Sequence, residues 1–229
     1  MGDVVEFPAG GSATGGYLAS GEGAGPGVVV IHEWWGLVPH IRDVCERFAG
    51  EGFTALAPDL FSGRTIPYRE PDEAEKAMMA LGLAQAARHL SGAVDFLLAH
   101  AAVRGHGVGV VGFGMGGGLA LWLASLRPEE VRAVVPFYGS IPWDDAQPDW
   151  GRVTAPVEGH YGEHDDRATP ALARSFEQEL EARGTEVRLF FYPEAGHAFF
   201  DDSRSEACVE DAARQAWVRT LEFLRAKLG

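Results

Sequence analysis

The chain is poor in three things that would settle its class at once. Only two cysteines, Cys45 and Cys208, occur in 229 residues, too few for a disulfide framework and without metal-type spacing. Both are expected as half-buried helix residues rather than working thiols. No apolar run approaches the roughly 18–20 residues that span a bilayer. The opening MGDVVEFPAGG carries neither the charged nor the apolar segment of a secretory signal, so a cytoplasmic location is expected. Positive charge is also scarce: 19 Lys and Arg face 33 Asp and Glu, a net charge of -14. That balance argues against nucleic acid or an anionic membrane surface as a partner.

What is present is an ordinary globular composition, 46% hydrophobic and 23% charged, enough for a sizeable core. Nothing marks a linker, so residues 1–229 are expected to form a single domain. Short apolar runs alternate with longer amphipathic stretches, the pattern of an α/β fold with a mostly parallel central sheet flanked by helices on both faces. The strands are expected at 28–32, 53–57, 108–111, 133–137, 157–161 and 187–192. The helices are expected at 40–51, 73–100, 115–127, 170–183 and 208–228. Segments 3–7 and 16–19 predict an edge hairpin, and this N-terminal part, 1–26, packs on the same domain. The glycines from Gly21 to Gly27 precede a strand, whereas a phosphate-binding loop follows one, so no nucleotide cofactor is expected.

The most telling absence is a single side chain. Val108–Val111 leads into Gly112-Phe113-Gly114-Met115-Gly116-Gly117 and then an apolar helical run. Strand, glycine-rich turn and helix spell a nucleophile elbow, in which the central residue of G-x-Nuc-x-G is held in a strained conformation with its side chain aimed into the site. The flanking glycines are intact, but the central position is Gly114, which has nothing to attack with.

Functional groups of open α/β sheets collect at the carboxyl ends of the strands. Here those loops carry His32-Glu33-Trp34-Trp35-Gly36, the elbow, Gly162-Glu163-His164-Asp165-Asp166, and Glu194-Ala195-Gly196-His197. The order elbow, Asp, His matches a triad in which His197 is the general base and Asp165 orients its ring. Each piece alone has an ordinary reading, as a turn, a helix cap or an exposed His; the conjunction after the right strands favours the triad. A metal site built from His32, Glu33, His160, His164, Asp165 and His197 is the rival, but their spacings match no metal motif, so no metal is expected.

With those residues in view, the chain resembles the dienelactone hydrolase (carboxymethylenebutenolidase) family. The similarity is carried by HEWWGLVPHIRDVCERFAGEGFTALAPDL, GFGMGG, YGEHDD and YPEAGHAFF, and runs from about Gly27 to about Leu228. It implies a Cys-His-Asp hydrolase acting on a small ester, lactone or enol-type substrate, with Glu33 beside the nucleophile and modulating its protonation. Asp165 and His197 correspond to the family's Asp and His. The oxyanion hole would use the backbone N–H groups of Trp34 and Met115. The partner is then a small-molecule substrate, and the chain a monomer or homodimer.

Two departures stand out. Gly114 replaces the family's Cys. After His197, where some members carry an Arg for a substrate carboxylate, this chain has Phe199, Phe200, Asp201 and Asp202. The acidic pair is expected to repel a carboxylate, and Arg64 or Lys76 are the cations offered instead. Trp34, Trp35, Phe61, Phe199 and Phe200 suggest an aromatic substrate pocket. Ser62, Ser140, Ser203 and Cys208 lie in no elbow and are poor substitutes for the nucleophile. Gly114 leaves three readings open: an altered Cys, a binding-only pseudo-hydrolase, or a non-covalent enzyme using His197 as base, in hydrolysis or in a cyclase- or lyase-like reaction.

Overall fold

Where the sequence alternates apolar runs with amphipathic ones, the chain builds one eight-stranded sheet. A computed structural model describes residues 1–229. The strands are β1 (Asp3–Ala9), β2 (Ser12–Ser20), β3 (Gly25–Ile31), β4 (Thr54–Pro58), β5 (Val103–Phe113), β6 (Val131–Phe137), β7 (Val157–Gly162) and β8 (Val187–Tyr192). The helices are α1 (Pro39–Gly50), α2 (Pro71–Met79), α3 (Leu83–Ala99), α4 (Met115–Leu126), α5 (Pro170–Glu181) and α6 (Glu210–Leu228). The strand order is β1-β2-β4-β3-β5-β6-β7-β8. Only the β1–β2 and β2–β4 pairings are antiparallel; all the others are parallel.

β4 and the Val108–Phe113 stretch of β5 are buried at every residue. A strand with no solvent face needs cover on both sides, which is why these stretches read as continuous apolar runs. Leu224 and Leu228 of α6 lie over Gly109 at the middle of β5. Phe48 of α1 meets Trp217 of α6, ring centroids 4.6 Å apart. α4 is buried from Met115 through Ser125, so it sits within the core rather than on it.

Three segments differ from the sequence expectation. The long helix expected over 73–100 is two helices, interrupted at Ala80-Leu81-Gly82, where Gly82 occupies the N-cap of α3. Glycine's poor helix propensity outweighs the periodicity there. β5 starts five residues early, at Val103, because Gly25 and Pro26 of β3 pair with Val103 and Arg104 across a register shift. Residues 104–106 are exposed, so no apolar signal marks them. The edge hairpin is also longer than expected, running to a Gly10–Gly11 turn between Ala9 and Ser12.

The topology fixes where chemistry can occur. From β3 the chain goes to β4 on one side, while β5 pairs on the other, so the loops after β3 and β5 diverge and leave a crevice. Such a switch point at the carboxyl ends of parallel strands is where open α/β sheets bind ligands.

Candidate active site

Gly114 is the single residue between β5 and α4. Its φ of 53° and ψ of -118° form a conformation that a residue with a β-carbon adopts only under strain. The turn is pinned on both sides. The Gly114 N–H donates to the Phe137 carbonyl at 3.0 Å, and the Gly114 carbonyl accepts from Gly117 at 3.0 Å and Ser140 at 3.4 Å. The bend brings backbones together: a β-carbon on Gly116 would stand 2.3 Å from the Ile31 carbonyl oxygen. At Gly114 the situation is the reverse. A β-carbon there would meet nothing closer than Glu33 Cγ and His197 Nε2, each at 3.7 Å. The position is open, and the His197 imidazole and the Glu33 carboxyl border it.

The loops after β7 and β8 deliver that imidazole. They are tied together where the Glu163 N–H donates to Tyr192 and the His164 N–H to Ala195. His197 Nδ1 lies 2.8 Å from Asp165 Oδ2. Asp165 Oδ1 accepts from the backbone N–H of Arg167 and of Ala168, both at 2.8 Å. A carboxylate held this way takes the Nδ1 proton as its partner, leaving Nε2 as the lone pair facing Gly114. Burial pushes the Asp165 carboxyl up. The His197 hydrogen bond and charge, with the two amides, outweigh it and hold the group below its ordinary value.

The third loop follows β3. His32 Nε2 accepts the Leu60 N–H at 3.1 Å, so its Nδ1 carries the proton and donates to the Glu33 carbonyl at 2.6 Å. This buried imidazole fastens the turn that presents Glu33 and Trp34. The Trp34 N–H makes no backbone hydrogen bond, and the Met115 N–H belongs to the first turn of α4, which has no intrahelical acceptor. Both amides are therefore free to donate at the mouth of the elbow. Glu33 itself is 4% exposed, and its Oε1 and the neighbouring Tyr138 hydroxyl each lack a hydrogen-bond partner. Burial raises the Glu33 carboxyl above its ordinary value, Asp201 adds to the rise, and His197 and His40 oppose it.

Together these groups enclose a cavity of about 50 Å3. Glu33, Trp34, Gly114, Met115 and His197 line it as a set, joined by Met78, Ser140 and Arg167. The Arg167 guanidinium lies 4.4 Å over the Trp34 ring. Arg167, Met78 and Ser140 were not singled out as lining this site from sequence. Arg167 could have been, since it stands two residues beyond Asp165 in the same loop.

Other expected residues lie elsewhere. Trp35, Phe199 and Phe200 are packed in the core at 2% exposure or less and do not border this cavity. Phe61 lines a separate one with Leu60, Ala77 and Leu81. Arg64 and Lys76 pair with Glu73 at the surface. Asp201 and Asp202 do not line the cavity either. Asp201 is buried against His40 and accepts from Ser203, while Asp202 is engaged by His40 and Arg47. The acidic pair thus stands outside the cavity wall, and the cation that lines it is Arg167. The six residues considered for a metal do not converge: His160 is held by Tyr192 and Thr220 in the core. The grouping close enough to share an ion is His40, Asp201 and Asp202. Cys45 is fully buried rather than half-buried, and Cys208 precedes α6 rather than lying within it.

The family model described as dienelactone hydrolase family matches residues 14–228. Protein usf of Aquifex pyrophilus is 33% identical over 236 residues, covering 100% of both chains. A Bradyrhizobium protein named a probable 2-oxo-3-(5-oxofuran-2-ylidene)propanoate lactonase is 33% identical, covering 97% of this chain and 93% of its own. The crystal structure of dienelactone hydrolase from Anabaena variabilis superposes with a TM-score of 0.73 at 26% identity, covering 100% of this chain and 99% of that one. A family match along nearly the whole length, with a relative 33% identical over all of it, makes the chain a member of the dienelactone hydrolase family of α/β-hydrolases.

Proposed function

We propose that the protein hydrolyses a small ester or lactone without a covalent intermediate, water taking the place of the absent thiol. One observation carries this reading: the seat at Gly114 is open, and His197 Nε2 is 3.7 Å from where a β-carbon would begin. A water lodged there is within reach of a base whose partner, Asp165, is already in place. His197 takes the water's proton as the new C–O bond forms. The tetrahedral oxyanion is stabilised by the Trp34 and Met115 amides. On collapse, His197 returns the proton to the departing alkoxide, giving acid and alcohol. Burial pushes the Glu33 carboxyl toward its neutral form, which lessens the negative charge next to the oxyanion. Arg167 gives a substrate carboxylate a counter-charge, in keeping with the lactone acid named for the Bradyrhizobium relative.

The test is turnover of para-nitrophenyl acetate and a panel of lactones by the parent chain and by His197→Ala. Steady hydrolysis without a burst, lost in the variant, supports the reading. An acyl adduct found by mass spectrometry would overturn the non-covalent step. Equal rates in both proteins, with ligand still bound, would leave a binding-only protein.

A further inference from the structure

A second cavity, of about 360 Å3, adjoins the elbow on the side of α5. Ser140 belongs to the walls of both cavities, and its N–H donates to the Gly114 carbonyl, so the second begins one residue from the reacting centre. The size difference is decisive. About 50 Å3 accommodates a reacting carbonyl and little more, whereas ligand sites ordinarily occupy roughly 300–1,000 Å3. Any substrate larger than the group being cleaved must extend somewhere, and the adjoining cavity is of ligand size.

Its chemistry narrows the class. Leu121 of α4, Ile141 and Trp150 of the segment after β6, and Leu172 and Phe176 of α5 supply an apolar lining. The Trp150 and Phe176 rings lie parallel to within 5° at 6.2 Å, and Leu172 is left 43% exposed. The polar side chains are Ser140, Gln147, Ser175 and Glu179, and no Lys or Arg lines the cavity. Glu179 is already neutralised by Arg183 at 2.6 Å. A carboxylate would find no counter-charge here, and an ammonium group would find its partner taken. An uncharged apolar arm fits both the walls and the charge.

We propose that this cavity seats the non-reacting arm of the substrate, an uncharged aliphatic or phenyl-bearing chain of an ester whose carbonyl lies at Gly114. The assignment rests on the hydrolase reading of that site and adds the substrate class. Burial of each methylene against these walls favours longer chains, so kcat/KM for para-nitrophenyl hexanoate exceeds that for the acetate by about 10-fold or more.

The test is the hexanoate-to-acetate ratio of kcat/KM in the parent and in two variants at exposed positions of α5. Ser175→Phe fills the cavity and Leu172→Asp charges its mouth. Either is expected to reduce the ratio about 10-fold, with circular dichroism verifying the fold. An unchanged ratio in both folded variants overturns the proposal. Failure of the hydrolase reading is distinguished by calorimetric titration with hexanamide, which needs no turnover. Hexanamide binding that Ser175→Phe abolishes, in a protein that cleaves neither ester, keeps the cavity assignment and discards the chemistry. No hexanamide binding to the parent overturns the cavity assignment.

Discussion

His197 and Gly114 face each other across 3.7 Å, from the ring Nε2 to the point where a β-carbon on Gly114 would lie. The distance is an ordinary van der Waals contact. The fold therefore sets a ring nitrogen directly against a position that carries no side chain.

Gly114→Cys is expected to fold, because the new β-carbon meets no atom closer than 3.7 Å. It should cost about 1–3 kcal/mol, since φ is 53° and only glycine adopts this conformation freely. The thiol would lie beside His197 and Glu33 and be alkylated selectively, and an acyl-enzyme burst should appear with activated esters. Chemical denaturation and mass spectrometry after alkylation measure both halves. A folded, alkylated variant with no ester turnover would count against the oxyanion arrangement.

Asp165→Asn should impair whatever turnover His197 supports far more than it disturbs the fold. The amide can still accept from Arg167 and Ala168 through its oxygen, but its NH2 then faces Nδ1 and favours the wrong tautomer of His197. By the logic of a triad the loss is on the order of ten-thousand-fold in kcat. A loss below tenfold would show that ring orientation does not limit the reaction.

Glu33→Gln gives a pH-dependent stability signature. Burial raises the Glu33 carboxyl in the folded chain, first by desolvation and then through Asp201. A raised group contributes fully below its unfolded value, and that contribution is lost as pH rises through the folded one. The Gln variant should therefore be more stable than the parent at neutral pH and lose that advantage in acid. Denaturation midpoints at the two conditions decide it. A difference independent of pH would mean that Glu33 ionises normally when folded.

Arg167→Gln should discriminate between substrates by charge. Its guanidinium lines the reacting cavity and rests on Trp34, while Asp201 and Asp202 are engaged elsewhere. Loss of one charge-assisted hydrogen bond lowers kcat/KM by about 10-fold for esters or lactones bearing a carboxylate. Neutral esters should change much less. Equal losses for both classes would assign Arg167 to loop packing over Trp34.

The alternation of buried strands and covering helices, hence the α/β class, is legible in the linear order of residues, because burial on both faces writes a continuous apolar run. That order also locates the elbow, Glu33, Asp165 and His197, because a tight strand–helix turn demands glycine and the other three follow the carboxyl ends of strands. The tertiary structure alone decided which side chains border the cavity. Phe199 and Phe200 stand two and three residues from His197 yet turn into the core, whereas Met78 and Arg167 arrive from α2 and the loop after β7. Aromatic character in a loop says that a ring is buried somewhere, not on which side of the backbone it falls. Likewise, Asp201 reads as a repelling charge in sequence until His40, from a helix over 160 positions away, is found against it. Contacts across such distances belong to packing, and a linear pattern of residues does not encode them locally.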